Sequence, residues 1–339
     1  MNNPENNIPK MFEDQASYVE HKHEQWKTAP AIIGACVKEA TGAGLAESRR
    51  IINGETNEVY EVRTESDEEV IVRIFHGERK RFGKERWALE QCAALGVPVP
   101  DMLLVKSIDD ESGPLQICVE SKIPGVSLQE VRKSREDKSD PELADMLREL
   151  GRLLKKVHSV PTNGFGMLDA EGNGKFASVA ELVARDDHVN REKILEMLAD
   201  RPVEIGMIKA SYEILDREAA AYGDVSSHLI HNDLSPEHVL IDDGRISGLI
   251  DFESACGADP IQEFSLWSLK FDKQYPLRHI LEGYGGGDAA DASFERKLHF
   301  WRIYRGLGSL GYCLREGKRA GADRALKMVR ESQEYFAGL

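Results

Sequence analysis

Apolar and polar positions alternate along much of the first third of the chain, which is typical of strands with one buried face. The stretches with strand character lie at 59–62, 70–74, 102–107 and 115–121. Apolar positions recur at helical spacing at 29–40, before Thr41-Gly42-Ala43-Gly44, and again from about 80 to 95. The pattern therefore predicts a short helix and then a small sheet with one inserted helix over 49–121.

After Pro124-Gly125 the apolar positions recur mainly at helical spacing. The predicted helices lie at about 141–159, 177–199, 203–222, 289–317 and 321–336. One island with strand character interrupts them between residues 228 and 252, with a turn at Asp243-Gly244. We therefore predict the α+β class, with a β-rich N-lobe and a mainly helical C-lobe that meet near Ile123. The polar residues 1 to about 28 favour no more than a loosely docked helix.

The composition disfavours several classes of protein. The chain has 339 residues, 59 acidic and 44 basic, with a formal charge of -15. This charge disfavours binding to the phosphate backbone of nucleic acids. No apolar run approaches the roughly 18 to 20 residues that span a bilayer, and the first residues do not resemble a secretory signal. We therefore expect a cytoplasmic protein without a nucleic-acid or membrane partner.

The cysteines indicate no disulfide framework and no zinc site. Cys36, Cys92, Cys118, Cys256 and Cys313 are odd in number, widely spread and free of any CxxC pair. We expect buried free thiols, because free cysteine usually packs as a small apolar residue.

The strand island carries the residues best suited to chemistry. They are His231-Asn232-Asp233, then His238, and finally Asp251 after an apolar run. Phosphoryl transfer needs a carboxylate to orient or deprotonate a hydroxyl, a role that Asp233 can fill, and ligands for magnesium. Antiparallel pairing would bring His238 and Asp251 to the same end of a hairpin, where they can share a metal ion. The alternative is that these polar residues only cap the hairpin, since turn aspartates are common.

The ordered set resembles the catalytic loop and metal-binding strand of the aminoglycoside phosphotransferase family, small-molecule kinases that share the protein-kinase fold. The family's loop usually reads H-G-D-x-x-x-x-N, and its I-D-F or I-D-W motif is followed by G-D-P. This chain has Asn232 for the first glycine and Ala258-Asp259-Pro260 for the last motif. The resemblance covers about residues 45 to 335 and implies a two-lobed protein-kinase-like fold. It also implies three regions, namely a helical extension at 1–44, an N-lobe at 45–123 and a C-lobe at 124–339.

The resemblance implies Mg²⁺ as cofactor and ATP or GTP as phosphoryl donor. It assigns catalysis to Asp233 and metal binding to His238 and Asp251. His238 replaces the usual asparagine, as in macrolide kinases and in relatives that phosphorylate aminoglycosides at the 2'' hydroxyl. Imidazole is an unusual ligand for Mg²⁺, which prefers oxygen. His238 therefore holds the metal weakly, holds it through water, or has only a structural role.

A turn before the first strand of the hairpin resembles the family's phosphate-covering turn. Asn53-Gly54-Glu55-Thr56-Asn57 is rich in small residues, which allow backbone amides to approach a nucleotide. We therefore expect Gly54, Thr56 and Asn57 to bind the nucleotide. An ordinary hairpin turn is the alternative.

Arg73 stands where kinases carry the lysine of their third strand. Arginine keeps the positive charge and can grip phosphate oxygens with two N–H groups. We predict an ion pair with Glu85 on the following helix, with Glu90 as the alternative partner. The linker after the last strand of the sheet is expected to bind the purine through the backbone of Ser121 and Ile123.

The acceptor site of the family lies among C-lobe helices and carries carboxylates in kinases of polycationic drugs. The candidate carboxylates here are Glu237, Glu253, Glu263, Glu331 and Glu334, and the candidate walls are Trp267, Trp301 and Tyr304. Each is alternatively a solvated charge or a core aromatic residue, and His158 is expected to be structural. The net charge favours a cationic acceptor.

Together these residues predict an enzyme that moves the γ-phosphoryl group to a hydroxyl of a small molecule. An aminoglycoside or another antibiotic is the first expected acceptor, as for an antibiotic-resistance kinase, although a metabolic kinase would carry the same motifs. A metabolite alcohol such as choline, homoserine or a sugar-like compound is the alternative, because these kinases share the motifs. A catalytically silent nucleotide-binding protein is the second alternative, to which the departures at Arg73 and His238 point.

Overall fold

The computed structural model describes residues 15–52, 54–78, 81–110, 113–134, 141–285 and 292–338. The chain forms two compact units. The larger unit comprises Val19–Lys175 and Ser226–Asp291, and the smaller unit comprises Met1–Tyr18, Phe176–Val225 and Ala292–Leu339. The predicted division of the chain at residues 44 and 123 stays a prediction.

An antiparallel five-stranded sheet forms the N-terminal part of the larger unit. Helices α1 (Gln15–Gln25) and α2 (Pro30–Thr41) precede it. Its strands are β1 (Leu45–Ile51), β2 (Glu58–Thr64), β3 (Glu69–His76), β4 (Met102–Asp110) and β5 (Gly113–Ser121). They pair in the order β1-β2-β3-β5-β4, which puts β3 at the centre. The pattern did not predict β1 as a strand, because this edge strand is mostly polar and exposed.

The two faces of β3 have different roles. Val70, Val72 and Ile74 pack with α2 in a buried apolar core. Successive side chains of a strand point to opposite faces, so Arg73 lies on the other face. There it contacts Glu85 of α3 (Phe82–Ala94), the helix that connects β3 to β4.

Two small sheets and four helices complete the larger unit. One sheet has the order β10-β9-β6, with β6 (Val126–Ser127), β9 (Val239–Asp242) and β10 (Arg245–Leu249). The other has the order β7-β11-β8, with β7 (Gly166–Met167), β8 (His228–Ile230) and β11 (Cys256–Ala258). The helices are α4 (Leu128–Lys133), α5 (Pro141–Val157), α9 (Ile261–Lys270) and α10 (Leu277–Tyr284). The pattern did not predict α9 and α10.

The described part of the smaller unit is mainly helical. Its helices are α6 (Val179–Arg185), α7 (Arg191–Met197), α8 (Pro202–Ala220), α11 (Ala292–Arg315) and α12 (Arg319–Ala337). The prediction of one continuous helix over 177–199 is wrong. The side chains of Asp186 and Asn190 accept backbone N–H groups of His188 and Lys193, and these caps break the helix.

Most of the larger-scale predictions are confirmed. Strands dominate the N-terminal region and helices the C-terminal region, as expected for the α+β class. All five cysteines are buried and free. Within the described ranges, the helices are too short or too polar to cross a bilayer.

Candidate active site

The backbone of the predicted catalytic loop is held by a buried carboxylate. His231 and Asn232, between β8 and β9, donate their backbone N–H groups to Glu263 of α9 at 2.6 Å and 3.1 Å. Glu263 is only 3% exposed. Asn232 adopts a φ of 65°, which asparagine tolerates better than most residues. Glu263, which the sequence suggested as an acceptor ligand, therefore anchors the loop instead.

The His231 ring joins the loop to the strand end that carries Asp251. Its Nε2 donates to the carbonyl of Ile250 at 2.8 Å, so the neutral ring has its lone pair on Nδ1. Nδ1 accepts the backbone N–H of Asp233 at 3.3 Å. Burial lowers the pKa of His231, which favours this neutral form. The ring thereby fixes the backbone of Asp233 relative to β10.

His238 and Asp251 lie at the same end of the β9-β10 hairpin, as predicted. Nδ1 of His238 donates to the carbonyl of Asp233 at 2.8 Å, which leaves the lone pair on Nε2. Nε2 lies 3.5 Å from Oδ2 of Asp251. Oδ1 of Asp251 is buried and accepts no hydrogen bond from any described residue. Two groups with lone pairs therefore face each other.

This pair fits a magnesium ion. Mg²⁺ is usually held by one or two protein carboxylates together with substrate phosphates and water, and the unsatisfied Oδ1 of Asp251 is an oxygen ligand of that kind. Among the residues that the structure describes, no group of three or more ligand side chains is suited to a metal. The remaining coordination positions would therefore belong to phosphate oxygens and water.

Arg73 is surrounded by carboxylates. It binds Glu85 with two N–H groups at 2.7 Å and 2.9 Å, which confirms the predicted ion pair, whereas Glu90 is exposed. Nη1 also lies 3.2 Å from Glu120. Nη2 lies 3.6 Å from Oδ1 of Asp251 and 3.5 Å from Glu253. We call these five residues the Arg73 cluster.

The charges of the Arg73 cluster do not balance, because four carboxylates lie near Arg73 and, among the described residues, the one further guanidinium beside them is that of Arg81, 3.9 Å from Glu253. Burial alone lowers the pKa of Arg73, but Glu85, Glu120 and Asp251 raise it well above its usual value. Burial and the nearby carboxylates raise the pKa of Glu85 to about 7, against the opposing effect of Arg73. The excess negative charge favours a cation beside Asp251.

The predicted phosphate-covering turn is bonded to side chains at both of its ends. Nε2 of His23 donates to the carbonyl of Gly54 at 2.8 Å, and a Cβ at Gly54 would meet no atom within 4 Å. Thr56 is half-buried. Asn57 is buried, and its amide donates to Glu253 at 2.7 Å. Asn53 lies outside the described residues.

The two predicted hinge positions differ in what their backbone groups do. The N–H of Ser121 donates to the carbonyl of Asp101, and the Ser121 hydroxyl accepts from the N–H of Asp101, both at 2.9 Å. Ile123 makes no backbone–backbone hydrogen bond to another described residue. Its side chain packs on Gly248, where a Cβ would lie 2.5 Å from Ile123 Cδ1. Ile123 therefore retains its backbone groups for a ligand, and the N–H of Ser121 does not.

The aromatic residues suggested as acceptor walls lie in cores. Trp267 is wholly buried, and its indole N–H donates to the carbonyl of Tyr275 at 2.9 Å. Trp301 is also wholly buried and donates to the hydroxyl of Tyr222 at 2.7 Å. Tyr304 is buried and bonds to a carboxylate of its own unit. A wholly buried indole cannot line a cleft, so the prediction for Trp267 and Trp301 is wrong.

The remaining acceptor carboxylates have separate surroundings. Glu237 is exposed and accepts from the side chain of Gln129 at 2.8 Å, whereas Glu253 belongs to the Arg73 cluster. Glu331 and Glu334 are exposed on α12 in the smaller unit. Their acceptor role stays a prediction.

His158 is buried among aromatic rings, as its expected structural role requires. Its Nδ1 lies 3.0 Å from the hydroxyl of Tyr284, and its ring packs on Phe264. Nε2 lies 3.7 Å from Glu263. His158 therefore supports the carboxylate that anchors the catalytic loop.

Comparison with known proteins gives one family and several relatives. The pattern of the phosphotransferase enzyme family matches residues 47–294. Hygromycin-B 4-O-kinase of Escherichia coli is 26% identical over 183 residues, which are 52% of this chain and 49% of that enzyme. The chain thus spans about half the length of the curated relatives that it matches.

Solved structures share the fold over nearly the whole chain. A thermostable mutant of aminoglycoside phosphotransferase APH(4)-Ia, in a ternary complex with AMP-PNP and hygromycin B, has a TM-score of 0.74 at 21% identity. The match covers 91% of this chain and 99% of that chain. APH(2'')-IIa in complex with gentamicin has a TM-score of 0.60 at 15% identity, over 90% and 97% of the two chains. The likeness confirms the predicted kinase-like fold.

Proposed function

The chain belongs to the phosphotransferase enzyme family, as its motifs predicted, and we propose that it transfers the γ-phosphoryl group of ATP or GTP to a hydroxyl of a small molecule. The observation that carries this proposal is the 3.6 Å separation of Arg73 Nη2 and Asp251 Oδ1. It puts a cation able to grip phosphate beside a carboxylate that would hold a magnesium ion. Both parts are needed for phosphoryl transfer.

Asp233 orients the acceptor hydroxyl and accepts its proton as the phosphoryl group is transferred. Its backbone position supports this role, because the N–H of Asp233 donates to His231 and its carbonyl accepts from His238. Two buried or half-buried rings therefore hold the residue that meets the acceptor. Precise placement of a catalytic group accounts for a large part of enzymatic rate enhancement.

Asp251 and His238 are the residues that hold Mg²⁺ in this proposal. A bound ion would supply positive charge that offsets the negative charge of the phosphate oxygens during transfer. Asp251 supplies oxygen ligands, and His238 contributes Nε2 directly or through water, because imidazole is a weak partner for Mg²⁺. The bond from His238 Nδ1 to the carbonyl of Asp233 fixes the ring so that Nε2 is aimed at Asp251.

In this proposal, residues of the five-stranded sheet and of the segments that connect its strands hold the nucleotide. Arg73 grips the phosphates and Glu85 keeps its guanidinium in place. Gly54, Thr56 and Asn57 cover the phosphates. Ile123 is the better of the two hinge candidates for the purine, because the N–H of Ser121 is already bonded to Asp101.

An aminoglycoside is the acceptor that we favour. The relative with named activity acts on hygromycin B, an antibiotic. The net charge of -15 attracts a polycationic acceptor. A macrolide or a metabolite alcohol would use the same catalytic residues, so these acceptors belong in the same test.

The test is an assay of nucleotide turnover with Mg²⁺, run with ATP and with GTP. The acceptors are hygromycin B, gentamicin, a macrolide, choline, homoserine and sugar alcohols, and mass spectrometry identifies the phosphorylated product. Stimulation by an aminoglycoside supports the proposal, and stimulation by another acceptor alone replaces its substrate class. Nucleotide binding without transfer to any acceptor would instead indicate a silent nucleotide-binding protein.

A substitution at the catalytic loop tests the mechanism. Asp233→Ala removes the proposed base, and we expect kcat to fall by roughly 10²- to 10⁴-fold with the folded state intact. Asp242→Ala, at an exposed position that ends β9, is the matched control and should keep wild-type turnover. An Asp233→Ala enzyme with wild-type kcat would exclude this mechanism.

A further inference from the structure

The segment before β1 reaches the turn that we propose covers the phosphates. His23 lies in the last turn of α1 and is 4% exposed. Its Nε2 donates to the carbonyl of Gly54 at 2.8 Å. The family pattern begins only at residue 47. The contact therefore comes from a part of the chain that the family pattern does not include.

The His23 ring is bonded on both nitrogens. Because Nε2 donates to a carbonyl, Nδ1 carries the lone pair of the neutral ring, and Nη2 of Arg50 lies 3.4 Å from it. Arg50 of β1 also donates to the carbonyls of His23 and Trp26, at 3.0 Å and 3.1 Å. The end of α1 is thus fixed to the sheet, and the ring can hold Gly54 in a defined place.

A second set of contacts secures the same segment to β2 and β3. Buried Glu58 accepts from the Thr28 hydroxyl at 2.7 Å and from the His76 ring at 3.0 Å. The Trp26 ring stacks on the His76 ring with centroids 5.8 Å apart. Burial alone raises the pKa of Glu58, but hydrogen bonds from His76, Thr28 and Tyr60 lower it to about 2. Glu58 is therefore ionised at neutral pH, when its bonds are strongest.

The backbone of the turn makes few hydrogen bonds. Gly54, Thr56 and Asn57 make no backbone–backbone hydrogen bond to any described residue. Side chains hold its two ends, His23 at Gly54 and Glu253 at Asn57. Loss of either contact leaves that end of the turn free to adopt more conformations.

We propose that His23 is a positioning residue that fixes the Gly54–Asn57 turn over the nucleotide phosphates, so that the N-terminal segment forms part of the nucleotide site. This inference rests on the proposed function. It predicts that His23 acts on nucleotide affinity and not on the acceptor. The hydrogen bond to Gly54 is the contact that matters, and a different side chain with a donor at the same reach can replace the ring.

The first experiment measures the Kd of a fluorescent ATP analogue for the full-length protein with Mg²⁺. His23→Ala should raise Kd by roughly three- to tenfold, the effect of one net hydrogen bond. His23→Gln places an amide donor where Nε2 stood and should restore Kd to within about twofold of the wild-type value. His21→Ala is the control, because His21 lies on the same helix and bonds to Gln25 one turn further along. In turnover assays, KM for ATP should rise in His23→Ala while KM for the acceptor stays unchanged.

The second experiment does not depend on activity. Limited proteolysis with a glutamate-specific protease measures cleavage of the turn after Glu55. Cleavage should become several-fold faster in His23→Ala and stay at the wild-type rate in His23→Gln and His21→Ala. Wild-type cleavage of a folded His23→Ala protein would overturn the proposal, as would faster cleavage with an unchanged Kd. If the wild-type protein binds the nucleotide but phosphorylates no acceptor, the proposed function fails while both measurements still decide the role of His23.

Discussion

The Arg73 cluster and the catalytic loop are neighbouring parts of one unit that are held by different means. Arg73 is held by side-chain charges from one strand, a helix and the segment after β10. The loop at 231–233 is held by a carboxylate that accepts backbone N–H groups. In the cluster the identity of each charged side chain matters. In the loop the anchor contacts main-chain N–H groups, so it does not depend on the charge of a loop side chain.

This difference predicts at which residues a substitution should cost the most stability. A buried charge that loses its partner keeps the full cost of its burial, so each member of the Arg73 cluster depends on the others. The Glu263 anchor contacts main-chain N–H groups and therefore does not depend on which side chains those residues carry. Asn232 stands where the family usually has glycine, and its side chain bonds to the carbonyl of Ser254 and to Gln262, which stabilises it at this position.

The largest expected effect is the loss of the central cation. Arg73→Met leaves Glu85 and Glu120 buried without their counter-charge, and we expect the free energy of unfolding to fall by about 3–5 kcal/mol. Urea denaturation at pH 8, above the pKa of about 7 for Glu85, measures the loss. Arg49→Met is the control, since Arg49 pairs with Glu61 at an exposed site and such pairs contribute about 1 kcal/mol or less. Equal losses in the two variants would show that charge does not hold the cluster together.

Substitution of Glu263, the residue that anchors the loop, should lower stability less than Arg73→Met does, and its main effect should be on turnover. In Glu263→Gln an amide group replaces one oxygen that accepts a backbone N–H, so we expect a loss of about 1–3 kcal/mol. Displacement of Asp233 should lower kcat by roughly 10- to 100-fold. KM for the nucleotide should not change, because the Arg73 cluster is intact.

Exposed Glu171 provides the control for the loop anchor. Glu171→Gln changes the same chemical group outside the anchor, so its kcat and stability should match the wild type. If Glu263→Gln folds and keeps wild-type kcat, the loop is positioned without Glu263. The catalytic loop would then not differ from the Arg73 cluster by having its backbone held by a carboxylate.

The sequence predicted the contacts that follow from one hairpin or one helix. His238 and Asp251 meet because two adjacent strands pair antiparallel. Arg73 and Glu85 meet because α3 follows β3 directly and packs on the face opposite the apolar core. Such short connections allow few alternative arrangements of the two elements. The residue pattern and spacing are therefore sufficient to predict these contacts.

The sequence did not predict contacts that depend on register or on a distant backbone. Glu120 meets Arg73 because Arg73 pairs with Cys118, which puts the residue two positions further along β5 on the same face. Alternation alone does not give that register. Glu263 meets the loop through backbone N–H groups about thirty residues earlier in the chain, and no residue type in the loop signals such a contact. The break at Asp186 and Asn190 had a signal in two capping residues, but the apolar period obscured it.

The smallest expected effect is a pH dependence that only the Arg73 cluster should show. The pKa of Glu85 is raised to about 7, chiefly by burial and partly by Glu120, whose own pKa is also raised by burial. An acid whose pKa is higher in the folded than in the unfolded chain contributes stability below its unfolded pKa, near 4.5, and loses that contribution as the pH rises through 7.

Glu120→Gln removes one of these two buried carboxyl groups and lowers the pKa of the other, Glu85. The variant should therefore gain stability relative to the wild type between about pH 5 and pH 8, by about 1–2 kcal/mol. Urea midpoints at several pH values measure this difference, and Glu90→Gln, at an exposed site on the same helix as Glu85, should show none. A constant difference across that range would mean that the carboxylates around Arg73 are ionised throughout, and that the cluster, like the catalytic loop, is held without competition between like charges.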